Sequence, residues 1–216
     1  MISAVIFDMD GVIVDNMQFH RKAWHEFTKK QGKNLSDEEL KQHIYGRDNR
    51  AALTYLLDRE LSDEEIAELG EQKEMVYREI YRPYLAPVPN LIDFLERTKS
   101  AGIKMAIATS ADIGNVDFVL DGLGIRDFFP VIIDASMVSK SKPDPEIYLK
   151  TAAALGEKPE NCIVVEDSIS GVKSGKNAGM RVIGITTTHG REDLSEADWI
   201  IDDYKECIVS DLDVDS

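Results

Sequence analysis

The chain has 216 residues, of which 43% are hydrophobic and 30% charged, and its formal net charge is −15. That composition supplies a real core and excludes a disordered chain, and the length suits one large domain or one domain carrying an insertion. So acidic a surface repels nucleic acid and anionic lipid, so neither is expected as a partner, and any anionic substrate has to be gripped by a local cluster of cations.

The first predicted element is a strand over 4–7, Ala-Val-Ile-Phe, an apolar run that stops at Asp8. Asp10 and Gly11 follow, then a second apolar run and Asp15. Residues 17–86 contain no good strand. Their apolar spacing predicts helices over 17–31, 36–43, 49–57 and 62–82, with capping boxes at Ser36/Glu39 and Ser62/Glu65. The stretch PYLAPVPN (83–90) holds three prolines, cannot continue a helix, and marks the return from this helical insertion.

Beyond it, short apolar runs alternate with segments of helical period, such as Val116, Val119, Leu120 and Leu123. Further strands are predicted over 104–108, 131–133, 163–165, 181–185 and 199–201. Alternation of this kind predicts a parallel sheet covered on both faces, an α/β fold. Two cysteines, Cys162 and Cys207, indicate neither a disulfide framework nor a zinc site and suit a reducing cytoplasm. No signal peptide or membrane span is expected.

In open parallel sheets the ligand sits outside the carboxyl ends of the strands. Asp8 and Asp10 follow the first strand, Thr109 and Ser110 the second, Lys142 the third, and Glu166 and Asp167 the fourth. Asp8, Asp167 and Glu166 offer hard oxygen ligands for Mg²⁺. Lys142 and the Thr109 hydroxyl suit phosphoryl oxygens. With its charge screened, Asp8 can attack phosphorus while Asp10 serves as general acid and base.

FDMDGVIVDN (7–16), with Thr109-Ser110, Lys142-Pro143 and Glu166-Asp167 in the same order, resembles the signature of the haloacid dehalogenase-like superfamily. The resemblance implies a Rossmann-like core over 1–15 and 88–216 and an inserted all-α, C1-type cap over 16–87, as in β-phosphoglucomutase and related sugar-phosphate phosphatases. It also implies that Asp8 becomes an aspartyl phosphate and that Asp10 gives its backbone carbonyl to Mg²⁺. Thr109, Ser110 and Lys142 match the phosphate holders, and Asp8, Asp10, Glu166 and Asp167 the metal site.

In the cap, YGRDNR (45–50) resembles the substrate-specificity loop, with Gly46, Arg47, Asn49 and Arg50 as candidates. His20 and Trp24 lie one turn apart on the first cap helix, and Lys73 matches a substrate-contacting lysine. Tyr45, Asn49 and Asn16 depart from the mutase pattern, which has Lys, Arg and Thr at these places. The departures weigh against phosphoryl return to a bound sugar bisphosphate.

The expected function is therefore a Mg²⁺-dependent phosphatase, active as a monomer on a small phosphorylated metabolite, a sugar phosphate. Two rivals stay open: a β-phosphoglucomutase-type phosphotransferase and a phospho-acceptor signalling domain. His25, His43 and His189 read as ordinary, and the acidic end SDLDVDS (210–216) has no assigned role.

Overall fold

The computed structural model describes residues 2–45 and 47–207. Gly46 and the acidic stretch 210–216 lie outside the described residues.

Strand β1 (Ala4–Phe7) opens the chain. Four helices follow: α1 (Met17–Lys30), α2 (Asp37–His43), α3 (Asn49–Leu57) and α4 (Asp63–Tyr81). Then come α5 (Leu91–Ser100), β2 (Lys104–Ala108), α6 (Ile113–Leu123), β3 (Val131–Ile133) and α7 (Glu146–Leu155). The chain ends with β4 (Cys162–Glu166), α8 (Ile169–Asn177), β5 (Arg181–Ile185) and β6 (Trp199–Ile201). The fourth strand is longer by one residue at each end than its apolar run predicts, so Glu166 sits on the strand rather than after it.

The chain divides into two compact units, 1–15 with 85–216, and 16–84. The first unit holds one six-stranded sheet in the order β3-β2-β1-β4-β5-β6 with every pairing parallel. This is an open, doubly wound α/β sheet, and its strand order reverses beside β1. All four residues of β1 are buried because helices cover both faces, which explains the unbroken apolar run. Ala4 and Ile6 face a cluster with Ala106, Tyr148, Val164 and Val182. Phe7 faces the other way, with its ring 5.7 Å from Phe129 and 6.1 Å from Phe94. The edge strands β3 and β6 have only three residues each, which leaves little open backbone for unwanted pairing.

The second unit is all helical. Both capping boxes form: Ser36 and Ser62 each accept the amide of the glutamate three residues on, and each glutamate accepts the serine's own amide. These caps satisfy amides that would otherwise lack partners at the starts of α2 and α4. Trp24, Phe27, Leu40, Ile44, Leu53 and Leu56 form its core. No helix among the described residues is long and apolar enough to cross a membrane.

Candidate active site

The first three residues after β1 set the site. The Asp8 amide donates to the Val165 carbonyl at 3.0 Å, which extends the β1–β4 pairing and fixes the Asp8 side chain at the strand end. Asp8 is buried, with 7% of its surface exposed, and Asp10 is half-buried. Gly11 has φ +77°, a left-handed turn, and a Cβ there would run into the carboxylate of Asp167. Glycine is therefore required twice over at this point, once by the turn and once by the closeness of Asp167.

Lys142 reaches this pocket from the loop before α7. Its Nζ lies 2.6 Å from Asp8 Oδ1, 2.6 Å from Glu166 Oε1 and 3.4 Å from the Ala108 carbonyl. The Tyr148 hydroxyl donates to the same Glu166 Oε1 at 2.8 Å. Glu166 Oε2 accepts the amides of Asp167 and Ser168 and the Ser168 hydroxyl. Thr109 is buried at the end of β2, where its hydroxyl oxygen accepts the Ala111 amide at 3.1 Å, and Ser110 beside it is exposed.

Crowding of carboxylates shapes the charge states. Burial, with help from the charges of Glu166 and Asp10, pushes the Asp8 carboxyl up to about 7 against the pull of Lys142. Burial and the charges of Glu166 and Asp8 also raise Asp167 well above the usual carboxylate range. Glu166 goes the other way: burial opposes its charge, but the Lys142 ammonium and the hydrogen bonds around it win and hold it low. Lys142 is likewise disfavoured by burial, yet the two carboxylates beside it hold its proton firmly.

Asp8, Glu166 and Asp167 each present a ligand atom within 4.8 Å of the others'. The donors are all carboxylate oxygens, so the set fits a hard divalent cation. A cation there would oppose the burial and the like charges that raise Asp8 and Asp167.

In the helical unit, His20, Trp24 and Lys73 come together. The His20 ring stacks on Tyr77, with centroids 3.8 Å apart and planes at 7°. Lys73 is buried; its Nζ donates to His20 Nδ1 at 3.0 Å and to Glu74 Oε1 at 2.8 Å, and lies 5.2 Å from the Trp24 ring centre. Arg47, Asn49 and Arg50 do not join them. Arg47 is exposed and donates to the Gln42 carbonyl at 3.3 Å. Arg50 pairs with Asp63 at the start of α4 and donates to the Leu61 carbonyl. Asn49 begins α3 and rests against Gly70 of α4.

The sequence of the haloacid dehalogenase-like hydrolase family matches this chain over residues 5–185. The chain belongs to the haloacid dehalogenase-like hydrolases. A phosphorylated carbohydrates phosphatase of Thermotoga maritima is 35% identical over 189 residues, covering 85% of each chain. The β-phosphoglucomutase of Bacillus subtilis is 31% identical over 192 residues, covering 85% of this chain and 83% of its own. The crystal structure of a haloacid dehalogenase-like hydrolase of family IA, variant 3, from Entamoeba histolytica superposes with a TM-score of 0.90 at 32% identity, covering 98% of this chain and 97% of the other. This haloacid dehalogenase-like hydrolase is thus an enzyme of the sugar-phosphate phosphatase-like branch.

Three contributors to the site carry no motif that marks them. Tyr148 falls on the apolar face of α7 and reads as core. Gly171 of α8 makes room for Glu166, since a Cβ there would overlap the carboxylate. His189, read as ordinary, places Nδ1 3.0 Å from the Asp167 carbonyl. The signal available for Gly171 was a glycine inside a helical pattern, which often marks a close approach.

Proposed function

We propose that this hydrolase is a Mg²⁺-dependent phosphatase that removes the phosphoryl group of a small phosphorylated metabolite, a sugar phosphate, through a covalent intermediate on Asp8. The observation that carries this reading is the contact of Asp8 Oδ1 with Lys142 Nζ at 2.6 Å inside a buried set of carboxylates. A carboxylate so placed is a nucleophile beside a cation that can also grip a phosphoryl oxygen.

Asp8, Asp167 and Glu166, with the Asp10 backbone carbonyl, would hold the Mg²⁺, which supplies positive charge against the phosphoryl oxygens and the carboxylates together. The chain's own residues do the rest. Lys142 and the Thr109 and Ser110 groups orient the phosphoryl oxygens. A carboxyl at about 7 is only partly ionised near neutrality, and added positive charge favours the ionised form that attacks. Asp8 forms a bond to phosphorus as the bond to the sugar oxygen breaks, and Asp10 gives that oxygen its proton. Asp10 then takes a proton from water, the water oxygen bonds to phosphorus, and the Asp8–phosphorus bond breaks to release phosphate.

A mutase cycle is the second reading, favoured by the likeness to β-phosphoglucomutase. A mutase has to hold a second phosphate on cap cations. Arg50 and Lys73 each carry an acidic partner, Asp63 and Glu74, which supports the phosphatase over the mutase.

The test is phosphate release from a panel of phosphorylated metabolites, with Mg²⁺ and with EDTA, including β-glucose 1-phosphate with a bisphosphate primer. Mg²⁺-dependent release from a few sugar phosphates is the expected result. Conversion of β-glucose 1-phosphate to the 6-phosphate without net release would replace the phosphatase with the mutase.

A further inference from the structure

The loop after β5, Thr186 to His189, is bound to the ends of three other strands. The Thr186 amide donates to the Ile201 carbonyl at 3.0 Å and its hydroxyl to Asp202 Oδ1 at 2.6 Å, which anchors the loop on the end of β6. The Thr187 hydroxyl donates to the Gly11 carbonyl in the loop after β1. His189 Nδ1 lies 3.0 Å from the Asp167 carbonyl, just past β4. A carbonyl can only accept, so Nδ1 carries the hydrogen.

These bonds matter because of what they hold. Asp167 is buried beside Asp8 and Glu166, with a ligand oxygen of each within 4.8 Å of the others'. Its amide is held by Glu166 Oε2 at 3.0 Å, and His189 holds its carbonyl. Both ends of the Asp167 backbone are therefore pinned. The Gly11 turn, which the Asp167 carboxylate packs against, is pinned in turn by Thr187. Partners behind a metal ligand that fix its position cost about 10- to 100-fold in metal affinity when removed.

We infer that residues 186–189 form a strap that sets the affinity for the divalent cation by holding Asp167 and Gly11 in place, with Thr187 and His189 as positioning residues. The inference rests on the Mg²⁺ reading of the carboxylate set. The strap works before any cation arrives: it keeps the three carboxyl groups in the arrangement that a cation needs, so less of the binding energy goes into gathering them.

Calorimetric titration of Mg²⁺ into phosphate-free protein tests this without turnover. His189→Ala and Thr187→Val should each weaken binding by about tenfold or more. His189→Asn, whose amide N–H can replace Nδ1–H, and Thr187→Ser, which keeps the hydroxyl, should recover most of it. A purely structural role for the loop would not separate Val from Ser or Ala from Asn in this way. Unchanged Mg²⁺ affinity in His189→Ala and Thr187→Val overturns the strap alone, as does equal weakening by His189→Asn and His189→Ala. Wild-type protein that takes up no Mg²⁺ overturns the metal reading and the strap with it.

Discussion

Lys142 stands between two buried carboxylates, 2.6 Å from each, and so joins β1 to β4 through charge. Its removal in Lys142→Ala leaves Asp8 and Glu166 facing each other without a cation. Breaking a buried pair in this way costs about 3–5 kcal/mol, so the unfolding free energy of the metal-free variant, read from urea denaturation, should fall by an amount in that range. Added Mg²⁺ should restore part of it. Gly171 makes the opposite point about helices. On propensity alone, Gly171→Ala in the first turn of α8 should stabilise by at most about 1 kcal/mol. The new methyl would overlap the Glu166 carboxylate, so that carboxylate has to move and Lys142 loses its second partner. The variant is expected to melt lower and to release phosphate more slowly. A melting temperature above wild type would show that Glu166 has room to spare.

At the scale of elements, α7 organises the loop that delivers Lys142. Glu146, its first residue, accepts the Ser139 hydroxyl at 2.8 Å and the amides of Ser139 and Lys140 at 3.0 and 2.9 Å, and pairs with Lys150 at 2.6 Å. Lys150 and the Ser139 hydroxyl, then those amides, hold its carboxyl at about 2, below the ordinary 4.5. A folded value below the unfolded one means stability that is full above about pH 4.5 and is lost as pH falls toward 2. Wild type should therefore exceed Glu146→Gln in urea midpoint at about pH 6, and the gap should narrow at about pH 3.5. A gap that is constant across this range would show that the Glu146 charge does not stabilise the loop.

The elements themselves were legible in the sequence for physical reasons. β1, β2, β3, β5 and β6 coincide with apolar runs because a sheet covered on both faces leaves no reason for polar residues mid-strand. The capping boxes at Ser36 and Ser62 announced α2 and α4 because they are purely local chemistry. Tyr148, Thr187 and His189 were not legible because their partners are distant in sequence. The Tyr148 hydroxyl is useful only because β4 brings Glu166 to it, and His189 only because the loop after β5 doubles back over Asp167. Arg50 has a partner that the sequence pattern did not announce, Asp63 at the start of α4.

Across the whole molecule, a chain of net charge −15 concentrates several of its acids on one strand-end site and still has to receive an anion there. Local positive charge is the way both can hold, and in the proposed mechanism it serves a covalent step on Asp8. The most direct test uses Asp10→Asn protein with Mg²⁺ and acetyl phosphate, whose acetate leaving group needs no proton from residue 10. The reaction is quenched in acid and the peptides are weighed. One added phosphoryl group is expected on the N-terminal peptide that contains Asp8, and none when Asp8→Asn is combined with the same change. A phosphoryl group on another peptide, or equal labelling when Asp8 is replaced, would contradict it.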